Sequence, residues 1–259
     1  MQTVMYTSTI FGPVHSRRLG SSLGINLMPS DGKICSFDCL YCEAGFNAQG
    51  PGTSGLPTRE QVAEALEAKL VQMKAEGTPL DVMTFSGNGE PTLHPDFEGV
   101  IDDTIRLRDK YFPEVKISVL TNSTRLGSDS VCHALRRIEN NIMKLDSAIA
   151  ATVELIDRPA PGFDVDVTIE RLASFGAEGI VQTMICRGEH DGATVDNSTP
   201  AEVDALIEAY RRIGPREVML YTIDRPTPEV NLRRVDRPTL DTIAARITAE
   251  TGITVQVSG

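Results

Sequence analysis

No stretch of this 259-residue chain comes near the ~20 consecutive apolar residues that a membrane-spanning helix needs. The start, Met1-Gln2-Thr3-Val4-Met5, lacks the basic residues and apolar run of a secretory leader. Basic residues are also in short supply: 25 Lys and Arg face 36 Asp and Glu, a net charge of −11. A nucleic-acid footprint is normally a basic face, so this balance argues against a large one. Residues 15–18 and Lys33 remain as a local basic patch. There is no repeat at solenoid period and no low-complexity tract. What is present is 41% hydrophobic residues, enough for a sizeable core, and unpaired cysteines that point to a reducing cytoplasm.

Three of the five cysteines stand close together, in Cys35-Ser36-Phe37-Asp38-Cys39-Leu40-Tyr41-Cys42. The spacing is C-x3-C-x2-C. Structural zinc wants four nitrogen or sulfur ligands, usually from two short-spaced pairs. No such second pair follows, since Cys132, Cys186, His15, His94, His133 and His190 are scattered. A disulfide framework is also a poor fit, with an odd number of cysteines in a chain too long to need staples. Three thiolates in eight residues suit three irons of a [4Fe–4S] cube. Iron–sulfur clusters of the structural kind take four cysteines, so three leave one iron open to another ligand.

Strand and helix patterns alternate along the rest. Strands are expected over residues 23–28, 81–85, 115–120, 141–145, 179–185, 217–222 and 253–257. Helices are expected from Thr58, with Gln61 completing a capping box, over 96–111, 128–138 and 167–175, after Thr199-Pro200-Ala201-Glu202, and around 240–247. Strand–helix units in series give a parallel α/β sheet with right-handed crossovers. In such sheets ligands bind beyond the carboxyl ends of the strands.

The residues at those ends are informative. Ser86-Gly87-Asn88-Gly89-Glu90-Pro91-Thr92 combines glycines, which let backbone approach a ligand, with an anionic acceptor; the plainer reading is a Gly/Pro turn. Asn122 is either a ligand contact or an Asx-turn residue. Alternation puts Lys144 and Asp146 on one face, as a buried ion pair or as ligand contacts. Gln182 shares a face with Met184 and Cys186, which suggests a wet interior; Cys186 and Cys132 read as packed thiols. Tyr221 and Arg225 face the site, or Asp224 and Arg225 form a rim pair.

The cysteine motif, with Tyr41 before the last thiol, resembles the signature of the radical S-adenosylmethionine superfamily. The resemblance implies a [4Fe–4S] cluster on Cys35, Cys39 and Cys42 whose open iron binds the methionine end of S-adenosylmethionine. Reductive cleavage of that sulfonium yields a 5′-deoxyadenosyl radical that takes hydrogen from a substrate. Gly87, Asn88, Gly89 and Glu90 are similar to the superfamily's Gly-Gly-Glu-Pro motif, with Asn88 parting the glycines, and would bind the methionine ammonium. Tyr41 would lie against adenine, and Asn122 and Gln182 would complete the cofactor site. The stretch from Gly12 to Gly20 resembles a subgroup related to the wyosine-base-forming tRNA enzymes. Lys144, Asp146 and Arg17 are the catalytic or substrate-binding candidates, with Arg17 and Arg18 suited to an anionic group or, more plainly, to pairing with Asp38 or Glu43. The implied fold is an open (β/α)6 partial barrel forming one domain over 1–259, with a cluster loop at 30–45 and a trailing helix and strand at 237–259. The expected substrate is a small molecule or a protein or peptide, and the expected reductant a flavodoxin or ferredoxin. Alternatives are a tRNA-modifying enzyme and a non-catalytic electron carrier. A second cluster is not expected, because Cys132 and Cys186 are too few and too scattered.

Overall fold

The computed structural model describes residues 4–16 and 18–259. Seven parallel strands form the frame: β2 (Gly20–Ile25), β3 (Val82–Phe85), β4 (Lys116–Thr121), β5 (Asn140–Lys144), β6 (Ile180–His190), β8 (Glu217–Thr222) and β10 (Thr254–Ser258). Among the described residues β10 does not pair with the opposite edge, so the sheet is open. Helices α1 (Arg59–Glu76), α2 (Phe97–Tyr111), α3 (Asp129–Arg136), α5 (Val165–Ala173), α6 (Pro200–Ile213) and α7 (Arg237–Thr251) lie between these strands in sequence, with a short α4 (Ala150–Ile156) before α5.

The alternation of each strand separates two environments. Leu23, Ile25, Met83, Phe85, Ile117, Val119, Val181 and Leu220 belong to the main core with the helices' buried stripes. Val62, Leu66, Leu70 and Met73 of α1 are at most 1% exposed, and burying each such side chain is worth about 1.5–3 kcal/mol. The opposite, concave face carries a small cluster of Ile142, Ile180 and Met219, joined by Leu19 and Leu120, and then polar groups: Ser22 and Thr84 share a 2.8 Å hydrogen bond.

The helix-start signals act as the sequence implies at Thr58, where Oγ1 accepts from Gln61 N and Gln61 Oε1 accepts from Thr58 N at 2.8 Å. At α6 they act only in part. Thr199 caps Glu202 N, but the Glu202 carboxylate accepts instead from Ser147 Oγ at 2.6 Å and Thr152 Oγ1 at 2.5 Å. A buried carboxylate serves two hydroxyls of the neighbouring helix start better than one amide of its own.

Three features depart from the sequence expectation. The segment before the first parallel strand is itself a strand, β1 (Ile10–Ser16), antiparallel to β2. β6 runs past the sheet and pairs there with β7 (Ala193–Asp196) and β9 (Arg233–Arg234). The first parallel strand ends at Ile25, not residue 28, because Asn26 turns back on Met28 through hydrogen bonds of 3.0 and 3.2 Å.

Candidate cofactor and active site

The cysteine loop leaves β2 and is clamped from three sides. On one side it runs parallel to the loop after β3: Ile34 N donates to Asn88 O at 3.1 Å, and Glu90 N to Ile34 O at 3.1 Å. This contact explains the glycines. Gly89 has φ 137°, and a Cβ there would overlap the Ile34 carbonyl oxygen; Gly87 has φ 139°, and its Cβ would lie 2.6 Å from Asn26 Oδ1. On the second side the chain after α4 holds the loop through Leu40 N to Ile156 O (2.9 Å), Asp38 N to Asp157 O (3.0 Å) and Ala160 N to Ser36 O (2.8 Å). On the third, buried Lys33 reaches under the loop, its Nζ donating to Gly45 O at 2.9 Å and standing 3.7 Å from Asp38 Oδ1.

The structure gives Asn88 a specific task. Its side chain is fully engaged, accepting from Tyr6 N at 2.9 Å and donating to Tyr6 O and Pro29 O at 2.8 Å each. Only its backbone faces the cysteine loop. Glu90 is 2% exposed and also well occupied. One oxygen accepts from Thr92 N (3.0 Å), Thr92 Oγ1 (2.5 Å) and Thr121 Oγ1 (2.7 Å); the other accepts from Asn122 N at 2.7 Å. Burial outweighs these donors and raises its pKa. The second oxygen keeps one lone pair for a further donor. Asn122 extends this network to the loop: Nδ2 donates to Ser36 Oγ at 2.9 Å and lies 3.6 Å from Cys35 Sγ, while Oδ1 accepts from Thr124 N and Oγ1.

Lys144 and Asp146 form the ion pair that their spacing allows, and Tyr41 joins it. Lys144 Nζ meets both the Tyr41 hydroxyl and Asp146 Oδ2, the Tyr41 hydroxyl donates to Asp146, and Asp157 Oδ1 lies 2.9 Å from the ammonium. Asp146 and Asp157 are almost fully buried. Burial works against the Lys144 charge, but Asp146 and Asp157 together raise its pKa well above the usual lysine range. Burial pushes Asp157 up to about 7 despite Lys144, and Cys39 hydrogen-bonds to it. Asp157 and Ser36 escape a reading by motif, because their roles depend on the turn after α4, a helix too short to show a clear period; Asp38, read from sequence as a partner for Arg17 or Arg18, faces Lys33 and Arg158.

Lys33 is corrected from the surface patch suggested by sequence: its side chain is 1% exposed. Arg17 lies outside the described residues. Arg18 reaches across the concave face to stack on Tyr221, 4.7 Å from the ring centroid. Arg225 pairs with Glu43 at 2.5 Å, so the rim pair joins the loop after Cys42 rather than Asp224. Gln182 lies inward and 8% exposed, and its amide nitrogen is buried without a hydrogen-bond acceptor. A cavity of about 420 Å³ opens on the same face, lined among others by Ser22, Thr84, Ser86, Gly87 and Leu120.

The sequence profile of the Radical SAM superfamily matches residues 30–186, more than half of the chain and the whole span from the cysteine loop to Cys186. The chain belongs to this superfamily. Its curated relatives include UPF0026 proteins: one from Helicobacter pylori J99 is 28% identical over 84% of this chain and 67% of its own length. Another, from Methanocaldococcus jannaschii, is 30% identical over 85% and 64%. A Brachyspira hyodysenteriae protein named GTPase Obg is 30% identical over 85% of this chain but 31% of its own length. The radical SAM chain thus spans about a third to two thirds of these relatives. Among solved structures, a radical SAM methyltransferase from Sphaerobacter thermophilus superposes with TM-score 0.64 at 16% identity, over 92% of this chain and 65% of that one. Streptococcus suis SuiB bound to its precursor peptide SuiA gives 0.63 at 14%, over 91% and 48%. These likenesses place the open parallel sheet with the partial barrels of radical SAM proteins.

A [4Fe–4S] cluster and S-adenosylmethionine are the cofactors of this superfamily and of this chain. The residues fit them. Among the described residues no three Cys, His, Asp or Glu side chains gather tightly enough to hold a single metal ion. Cys35, Cys39 and Cys42 lie on one short loop and near enough to feel one another's charge, as thiolates that each hold a different iron of one cube would. Burial raises the Cys35 thiol to about 12 and pushes Cys39 well above the usual thiol range, so loading must displace protons. The orphaned Gln182 amide and the spare lone pair on Glu90 are the polar vacancies a cofactor with an ammonium and several acceptors would fill.

Proposed function

We propose that this chain is a radical SAM enzyme in which Cys35, Cys39 and Cys42 hold the cluster and the surrounding strand ends bind S-adenosylmethionine. The observation that carries this reading is the parallel contact of Ile34 with Gly89, which sets the cysteine loop against Glu90. Together the two cofactors supply one-electron cleavage of a sulfonium and, through it, hydrogen-atom abstraction from a substrate. Glu90 takes the methionine ammonium on its free lone pair. The Gly87–Gly89 backbone gives close approach, and Asn88 fixes that backbone through Tyr6 and Pro29. Asn122, just past the end of β4, and Gln182, within β6, supply amide donors. Tyr41, held by Lys144 and Asp146, presents its ring toward the adenine.

The substrate enters the cavity on the concave face, past Arg18 and the Arg225–Glu43 pair. Lys144 and Asp146, which line a separate small cavity with Asn122 and Asp157, are the proposed orienting groups, with Lys144 protonated by its two acidic neighbours. Arg17 remains the sequence-based candidate for an anionic substrate group. A small molecule or a peptide segment suits this mouth, and a flavodoxin or ferredoxin is the class of reductant. The deciding experiment is anaerobic reconstitution, followed by chromatography for 5′-deoxyadenosine after addition of dithionite and S-adenosylmethionine. The nucleoside is expected from the parent and absent from a Cys35→Ala, Cys39→Ala, Cys42→Ala variant. A loaded cluster with no nucleoside formed would reduce the protein to an electron carrier.

A further inference from the structure

Lys33 stands two residues before Cys35, and its ammonium sits inside the cluster loop rather than at its edge. Its Nζ donates to the carbonyl of Gly45, three residues beyond Cys42, and lies 3.7 Å from Asp38, between the first two cysteines. The backbone of Lys33 is fixed as well, its N donating to Gly50 O at 2.7 Å and its O accepting from Gly52 N at 3.2 Å. The ammonium therefore cannot swing out to solvent without unmaking the loop.

Its charge is only partly neutralised by the protein. Asp38 Oδ1 is beyond hydrogen-bond reach of Nζ and accepts from Asn47 N at 2.6 Å instead, while Asp38 Oδ2 faces Arg158 at 3.7 Å. The Lys33 Nζ is held between Asp38 and Gly45, the two residues that bracket Cys39 and Cys42 along the loop. A pin for the Gly45 carbonyl needs only a neutral donor. Burying an ammonium is costly unless anionic partners offset it, and three thiolates on iron are such partners.

We propose that Lys33 is an electrostatic positioning residue that raises the reduction potential of the cluster held by Cys35, Cys39 and Cys42. The inference rests on that ligand assignment. On reduction the donor loses one electron and the cluster gains it, so the cluster with its thiolates becomes one unit more negative. No bond or proton of Lys33 changes. A fixed cation in a low-dielectric site stabilises the more negative state and so favours acceptance of the electron.

The test is an EPR-monitored redox titration of anaerobically reconstituted full chain, without S-adenosylmethionine, comparing the parent with Lys33→Gln, Lys33→Arg and Asp38→Asn. Gln keeps a donor for Gly45 but not the charge; Arg keeps the charge. Expected is parental iron and sulfide content in Lys33→Gln, with the reduction equilibrium weakened at least tenfold, about 59 mV more negative for one electron. Lys33→Arg keeps the parental potential. Asp38→Asn, which removes the nearest opposing charge, shifts it the other way. A loaded Lys33→Gln protein at parental potential would overturn the proposal. If Lys33→Gln fails to load, Asp38→Asn decides, and an unshifted potential there overturns it equally. A parent chain that takes up no iron fails at the metal analysis and brings down the ligand assignment itself.

Discussion

Replacing Glu90 by Gln is the sharpest perturbation of the site, because it changes one atom and leaves the shape intact. The carboxylate collects four donors, three on one oxygen and Asn122 N on the other. An amide has one acceptor oxygen. If that oxygen stays with Thr92 and Thr121, the new NH₂ faces the Asn122 N–H, donor against donor. If the amide is reversed, the Thr92 N–H loses its acceptor, while the threonine hydroxyls can rotate. Either way one buried backbone N–H is orphaned, a cost of about 1–3 kcal/mol. Loss of the charge relieves some desolvation, since burial already raises the pKa of Glu90. A net loss of about 1–2 kcal/mol is expected in the metal-free chain. At about 2–4 °C per kcal/mol for a chain of this size, that is a small but measurable fall in Tm. Urea unfolding followed by circular dichroism should show a lower midpoint at unchanged slope. The same substitution removes one charged hydrogen bond to the methionine ammonium, about 1.5–3 kcal/mol, or roughly tenfold to over a hundredfold in affinity. Calorimetric titration of the reconstituted variant measures it. An unchanged urea midpoint refutes the donor count; an unchanged affinity with a lowered midpoint makes Glu90 a splint for the Thr92 and Asn122 backbones and nothing more.

Gly89→Ala should leave the fold's circular dichroism intact but cut iron uptake sharply, since its Cβ displaces the Ile34 carbonyl; parental iron content would contradict this. Lys144→Met leaves Asp146 and Asp157 buried without their cation and should cost about 3–5 kcal/mol in chemical denaturation, with Asp146→Asn less damaging. Glu139 is buried in part, yet Ile117 N and Arg108 hold its pKa below the usual glutamate range. It therefore stabilises the fold above pH 4.5 and loses that contribution as pH falls through its lowered value. Glu139→Gln should flatten the acid limb of a pH–stability curve. Gel shifts with total tRNA at physiological salt should show no salt-sensitive complex, given a net charge of −11.

The strands were legible because a parallel sheet buried on one side and wet on the other writes both facts into a period of two, but two of their ends were not: the first stops at Ile25 rather than residue 28, and the fifth runs on from residue 185 to His190. Lys144, Asp146 and Gln182 stood out as polar residues where an apolar run was expected. The hairpin of β1 with β2 was not legible: the burial along β1 is irregular, with Phe11 and Tyr6 stacked at 3.6 Å above Gly24 rather than lining a core. β7 and β9 are four and two residues long, below the length at which alternation carries information. Asn88 was assigned to the cofactor by its neighbours, while its side chain answers to Tyr6, 82 residues away. Lys33 counted as surface charge because composition says nothing about burial.

The tie between Arg225 and Glu43 spans 182 residues, and that from Lys144 to Tyr41 spans 103. Chains are synthesised from the amino end and contacts of long sequence separation form late. The three thiols are thus translated early, while the groups that shape and shield their loop arrive over the next hundred to two hundred residues. Until β8 and the segment beyond it have docked, the cysteines are an exposed trio open to oxygen and to stray metal ions. A cluster held by these cysteines would therefore find its complete pocket only in a nearly finished sheet.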